Sequence, residues 1–221
     1  MRLASFMAER RFFILFVAIL LDWLAYPFLE SASMARTLLA SFSLMILLSA
    51  LFSATRGRRL RWLALALGVP AVGATVLEML SDAPGVSLLD DVLFGGFLLL
   101  VTIGVFRAVL AAAEVTSEVV NGALCVYLLF GFVFAAAYVV LETIHPGSFA
   151  MSARPHDGPG LHRAFLYFSY VTQTTMGYGD ITPATPPARS LTTVQAITGQ
   201  LYLTVLVARL VALQIVHQER A

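Results

Sequence analysis

Apolar residues in this chain neither alternate nor keep to one helical stripe. They come in long runs separated by short polar turns. A helix crossing a bilayer core needs about 20 mostly apolar residues. The runs at 12–28, 35–54, 60–80, 88–112 and 123–142 fall in that class, and a sixth extends from 189 to 216. Between the fifth and sixth lies a shorter apolar stretch, 161–175. A short apolar helix followed by irregular backbone predicts a re-entrant element, tolerated at membrane depth only inside protein or beside a water-filled cavity. The pattern therefore predicts an all-α integral membrane protein: six transmembrane helices, a re-entrant helix and a loop.

Composition agrees. The chain is 59% hydrophobic and 12% charged, whereas a soluble domain is about 45–50% apolar and about 25% charged. A formal net charge of +1 argues against a nucleic-acid partner. The single cysteine, Cys125, excludes an intrachain disulfide and sits in an apolar run as a packing residue.

Charge then sets orientation. Arg2, Arg10 and Arg11 precede the first run, and Arg56, Arg58, Arg59 and Arg61 fill the turn between the second and third. The alternate turns carry Glu30 and Arg36, then Asp82, Asp90 and Asp91. This bias predicts cytoplasmic N- and C-termini and a re-entrant loop on the outer side. The first run also fits a cleaved leader, with small residues Ser31 to Ser33 as the cleavage site, although Asp22 and Trp23 sit awkwardly before it. Residues 1–113 read as a four-helix bundle and 114–122 as a cytoplasmic linker, with Asn121 and Gly122 breaking the helical pattern. Residues 123–221 read as a second unit, with 145–160 an exposed loop rich in Pro, Gly and His. Only five residues follow the sixth run, so no cytoplasmic ligand-binding domain is expected.

After the short apolar stretch stands TTMGYGD, Thr174 to Asp180. Gly177 and Gly179 flank Tyr178, and glycine adopts backbone angles that other residues resist. Alternating such angles would aim successive carbonyls the same way. Copies arranged around an axis would stack rings of oxygens able to replace the hydration shell of a potassium ion. The carbonyls of Thr175, Met176, Gly177 and Tyr178 are the predicted ligands of K+, and the Thr175 hydroxyl would add an inner ring. Met176 and Tyr178 would turn their side chains toward the supporting helix, a place that suits the rigid, hydroxyl-tipped ring of Tyr178.

These residues resemble the pore module of tetrameric potassium channels, whose filter reads TVGYGD. Here it reads TMGYGD, with 168–174 in the pore helix, 123–142 as outer helix and the sixth run as inner helix. The resemblance covers 123–216 and implies a homotetramer, embedded in membrane lipid, that passes potassium ions passively. It also implies that Gly199, 20 residues beyond Gly179, is a gating hinge. The absence of long loops suggests a prokaryotic inner membrane. Alternative readings are a weakly selective cation channel and a potassium transporter subunit. No nucleophile–base set, phosphate loop or metal-ligand spacing appears, so no enzyme is expected.

The chain departs from the family pattern at two positions. Met176 replaces the usual valine with a longer, more flexible side chain. Some family members pair the filter aspartate with a glutamate on the pore helix. Here Thr172 and Val171, five and six residues before Gly177, are not acidic. Tyr167 is the candidate partner of Asp180, and Thr174 the candidate support at the helix–filter junction. On the fourth run, the positions that carry gating arginines in voltage sensors read Leu98, Val101, Gly104, Arg107 and Leu110. One charge predicts no steep voltage sensing, so Arg107 reads as a snorkelling interfacial residue and Arg189 as an anchor.

Asp22 lies midway along its run and reads as a bundle-facing hydrogen-bonding group. Glu78 and Glu142 read as interfacial. Glu114 and Glu118 share a helical face, and one of them is the expected partner of Arg209, coupling linker to gate. His145, His156, Asp157 and His162 read as exposed loop residues without metal-ligand spacing.

Overall fold

The computed structural model describes residues 10–25, 58–80, 84–155 and 158–218. The run at 35–54 lies outside them, as do His156 and Asp157 and the side chains of Asp22 and Glu78. The elements in chain order are α1 (Arg11–Ala25), α2 (Arg58–Leu80), α3 (Pro84–Leu110), α4 (Ser117–Ile144), β1 (Phe149–Met151), α5 (Gly158–Gln173), β2 (Ile181–Pro183) and α6 (Pro186–Gln218).

Among the described residues, three helical stretches are long and apolar enough to cross a membrane: Gly85–Leu110, Ser117–Ile144 and Pro186–Arg209. Their length and composition are those of membrane-spanning helices. The apolar parts of α1 and α2 are shorter, Phe12–Leu21 and Trp62–Leu77. Among the described residues, the expected six crossings are represented by three full-length spans and two shorter helices.

Three further expectations change. The chain is not purely helical, because β1 and β2 pair antiparallel, with Phe149 opposite Pro183 and Met151 opposite Ile181. Nor is the stretch from 145 to 160 wholly an exposed loop, since Ser148 and Phe149 are 1% and 2% exposed. Asn121 and Gly122 do not break a helix. Thr116 caps the N-terminus of α4 by accepting the Val119 amide, and the helix runs on through both residues. Gly122 marks close packing instead: a Cβ there would lie 3.0 Å from Val109 and 3.1 Å from Phe12.

One apolar cluster joins Phe12, Leu15 and Ile19 of α1 to Phe97, Val101 and Val105 of α3, Val126 and Leu129 of α4, and Tyr202 of α6. It crosses the boundary expected near residue 122. A second cluster packs Tyr138 with Phe149, Phe165, Phe168 and Ile181, which fixes α5 and the small sheet against α4.

Candidate functional site: the loop after α5

The loop hangs from the last turn of α5. Thr174 N–H donates to the Tyr170 carbonyl at 2.9 Å, and Thr175 N–H to Thr172 at 3.0 Å. Val171 carbonyl accepts Met176 N–H at 2.9 Å and Gly177 N–H at 3.4 Å. Carbonyls at a helix C-terminus lack intrahelical partners, and here the loop's amides use them. The Thr174 hydroxyl caps the same turn through Tyr170, 2.6 Å away.

Backbone conformation alternates along the loop. Thr175, Gly177 and Gly179 have φ of 59°, 58° and 81°. A Cβ on either glycine would meet nothing within 4 Å, so the backbone angle and not space demands glycine there. Thr175 pays for its left-handed backbone with strain on the order of 1 kcal/mol. No donor among the described residues reaches the carbonyls of Thr175, Met176, Gly177 or Tyr178. Residues 174–180 are all exposed in the single chain.

The outer end is held from two sides. The Tyr178 ring lies 6.3 Å from that of Tyr167 with an interplanar angle of 10°. The Tyr167 hydroxyl lies near the Asp180 carboxylate. Desolvation first, then the hydrogen bond to Asp180 and its charge, raise the Tyr167 phenol above its ordinary range. Across the loop, Ser152 N–H and hydroxyl donate to the Asp180 carbonyl at 2.9 and 3.2 Å, anchoring it to the segment after β1.

That segment rests on Glu142, which is not interfacial. It is 2% exposed, and its carboxylate accepts Gly147 N–H at 2.9 Å, Phe149 N–H at 3.1 Å and the Arg154 guanidinium at 2.5 Å. His162 is not a loop residue either. It sits in the first turns of α5 and meets Asp91 of α3 at 2.5 Å. Residue types in sequence give no signal for that pair, 71 positions apart.

Behind the loop, α5 is wedged between α4 and α6. Gly199 of α6 faces the end of α5 so closely that a Cβ would lie 2.8 Å from Gln173 Cγ and 2.9 Å from its carbonyl oxygen. Gln173 and Gln195 are 0% and 1% exposed. Sequence reading missed both; an uncharged amide in an apolar helix was the available signal.

Arg209 pairs with neither expected carboxylate. Its guanidinium donates to the carbonyls of Val109 at 2.8 Å, Leu110 at 2.5 Å and Ala112 at 3.1 Å. Those carbonyls lie at and just past the C-terminal end of α3, where a cation is favoured. Glu118 instead accepts the Phe12 amide in the first turn of α1 at 3.1 Å, and Glu114 is exposed.

Residues 122–214 match a family model described as ion channel. A stretch of 96 residues, 42% of this chain, is 36% identical to "Two pore potassium channel c" of Oryza sativa subsp. japonica and covers 20% of it. A stretch of 56 residues, 25% of this chain, is 46% identical to "Two-pore potassium channel 4" of Arabidopsis thaliana and again covers 20% of it. The chain thus spans about a fifth of the length of the curated relatives it matches. No solved structure matches. The matched family is described as an ion channel and not as an enzyme.

Proposed function

We propose that four copies of this chain surround one axis and form a potassium-selective pore through which the ion passes down its gradient. The carrying observation is the loop backbone. Thr175, Gly177 and Gly179 take left-handed angles in alternation, and the carbonyls of Thr175, Met176, Gly177 and Tyr178 accept no bond from any described residue. An unpaired carbonyl at membrane depth is costly, so these oxygens call for a ligand. A dehydrated monovalent cation supplies one, and each ring of oxygens replaces part of its water shell. The sequence holds one such loop, so a closed ring takes several chains. The relatives named above are described as potassium channels, which supports K+ over other cations.

In this reading Tyr167, Thr174 and Asp180 brace the filter, and the C-terminal end of the α5 dipole favours a cation below it. Gly199 serves as the hinge of the inner helix. Arg209 couples that helix to the end of α3, and Glu118 ties α1 to the start of α4. Both chain ends face the cytoplasm, the filter faces outward, and the setting is a prokaryotic inner membrane. Steep voltage sensing has no charge series to drive it: among the five positions checked on α3, only Arg107 is charged.

Purified protein in vesicles tests this. Loaded potassium should leave much faster than loaded sodium, and native mass spectrometry should find tetramers. Equal rates for both ions would favour a weakly selective cation channel. Potassium movement coupled to a second solute would favour a transporter subunit.

A further inference from the structure

Resting on that reading, we infer that Gln195 of α6 is the positioning residue that fixes the height of the filter carbonyls, acting through the pore-helix turn Ser169–Gln173. Gln195 touches no ion. Its side chain is buried, as are those of Ser169, Gln173 and Tyr138. A buried amide is costly unless its bonds are made, and here they are.

The direction of these bonds is fixed by counting protons. The Ser169 hydroxyl donates its one proton to the Gly131 carbonyl, 2.7 Å away. Only lone pairs remain to face Gln195, so Gln195 presents its amide nitrogen, 2.6 Å from Ser169 Oγ and 3.0 Å from the Ser169 carbonyl. The amide oxygen then faces Tyr138, whose hydroxyl donates to it. A one-way chain thus runs from Tyr138 of α4 through Gln195 of α6 and Ser169 of α5, back to Gly131 of α4. Gln173 closes the far side, donating to the Tyr127 carbonyl at 2.7 Å, with its own amide oxygen 3.4 Å from Gln195.

What this chain pins is decisive. Val171 lies between Ser169 and Gln173, and its carbonyl carries the amides of Met176 and Gly177. The filter therefore hangs from the one pore-helix turn that is clamped at both ends. Releasing Gln195 lets that turn tilt, and the oxygen rings shift with it. Gln195 also stands four residues before Gly199 on α6, so movement of that helix reaches the filter through the same amide.

Reversal potentials of wild type, Gln195→Leu and Gln195→Glu in bilayers test the inference. Gln195→Leu keeps the volume and removes the bonds. We expect tetramers in normal amount and a potassium-to-sodium permeability ratio lowered roughly three- to tenfold, the span one lost hydrogen bond commands. A neutral glutamic acid can donate to Ser169 and accept from Tyr138, and an ionised one cannot donate. Gln195→Glu should therefore keep near-native selectivity at low pH and lose it as pH rises, while wild type stays flat. A Gln195→Leu channel with wild-type selectivity overturns the inference. If that variant does not assemble, a pH-independent ratio in Gln195→Glu overturns it. A wild type with no potassium preference sinks the functional reading itself, and a selective wild type with indifferent variants sinks this inference alone.

Discussion

The ring of Tyr178 lies nearly parallel to that of Tyr167, at 6.3 Å and 10°, and the same Tyr167 has its hydroxyl near the Asp180 carboxylate. One residue of α5 thus meets the proposed filter twice, through its ring and through its hydroxyl. Removing the hydroxyl while keeping the ring separates the two. Tyr167→Phe should retain potassium selectivity but shorten the time the filter stays conducting in a sustained recording. An unchanged conducting lifetime would contradict the bracing role of the hydroxyl.

The raised phenol carries a pH signature. A group whose pKa is raised by folding contributes stability below its ordinary value and loses it as pH rises through the raised one. The ordinary phenol value is about 10. Filter lifetime should therefore be level across neutral pH and fall only beyond about pH 10, and Tyr167→Phe should remove that alkaline limb. Single-channel recording at stepped pH reads it.

Met176 is 56% exposed in the single chain, and in the proposed tetramer its side chain would be free to meet a neighbouring subunit. Valine there would be stiffer about χ1 and bulkier close to the backbone. Met176→Val should sharpen discrimination between potassium and sodium, by up to roughly threefold if the gain is about half a hydrogen bond's worth. Identical permeability ratios and inactivation would remove any role for the methionine.

Arg209 spans three carbonyls at the end of α3, a task for a planar fork and not for a point charge. Arg209→Lys should therefore fail to restore what Arg209→Gln loses. Both should lower stability by about 1–3 kcal/mol, the usual cost of removing hydrogen bonds to a charged group. Thermal unfolding in detergent measures it, and full rescue by lysine would contradict the fork geometry.

Glu142 uses both carboxylate oxygens: Oε1 for Gly147 and Arg154, Oε2 for Phe149. An amide would turn an N–H toward one of these donors. Glu142→Gln should thus destabilise nearly as much as Glu142→Ala, by about 2–3 kcal/mol. A glutamine variant as stable as wild type would show that the charge and both acceptors are dispensable.

The parts of this protein legible in sequence are the local ones. The candidate filter is seven consecutive residues, and its demand for left-handed backbone is visible in Gly177 and Gly179, though not in Thr175. Helix α5 is visible because an apolar stretch too short to cross a membrane precedes that motif. What stayed hidden depends on distant partners. Gln195 meets Ser169 across 26 positions and Arg209 meets Val109 across 100, and nothing in residue type encodes such pairings. Gly199 illustrates a second limit: its spacing from Gly179 suggests a hinge, whereas the clearance it gives Gln173 shows only in the packing of α6 on α5. Strands of three residues fall below any periodicity, so the sheet that steadies Asp180 was invisible as well.

The central claim is that unpaired oxygens from Thr175 to Tyr178 of several chains together strip water from potassium. The most direct measurement is the reversal potential of purified protein in planar bilayers with potassium on one side and sodium on the other. The account predicts a potential close to the potassium equilibrium value, shifting with the potassium gradient and abolished by Gly177→Ala. A reversal potential near zero, unmoved by that gradient, would contradict it.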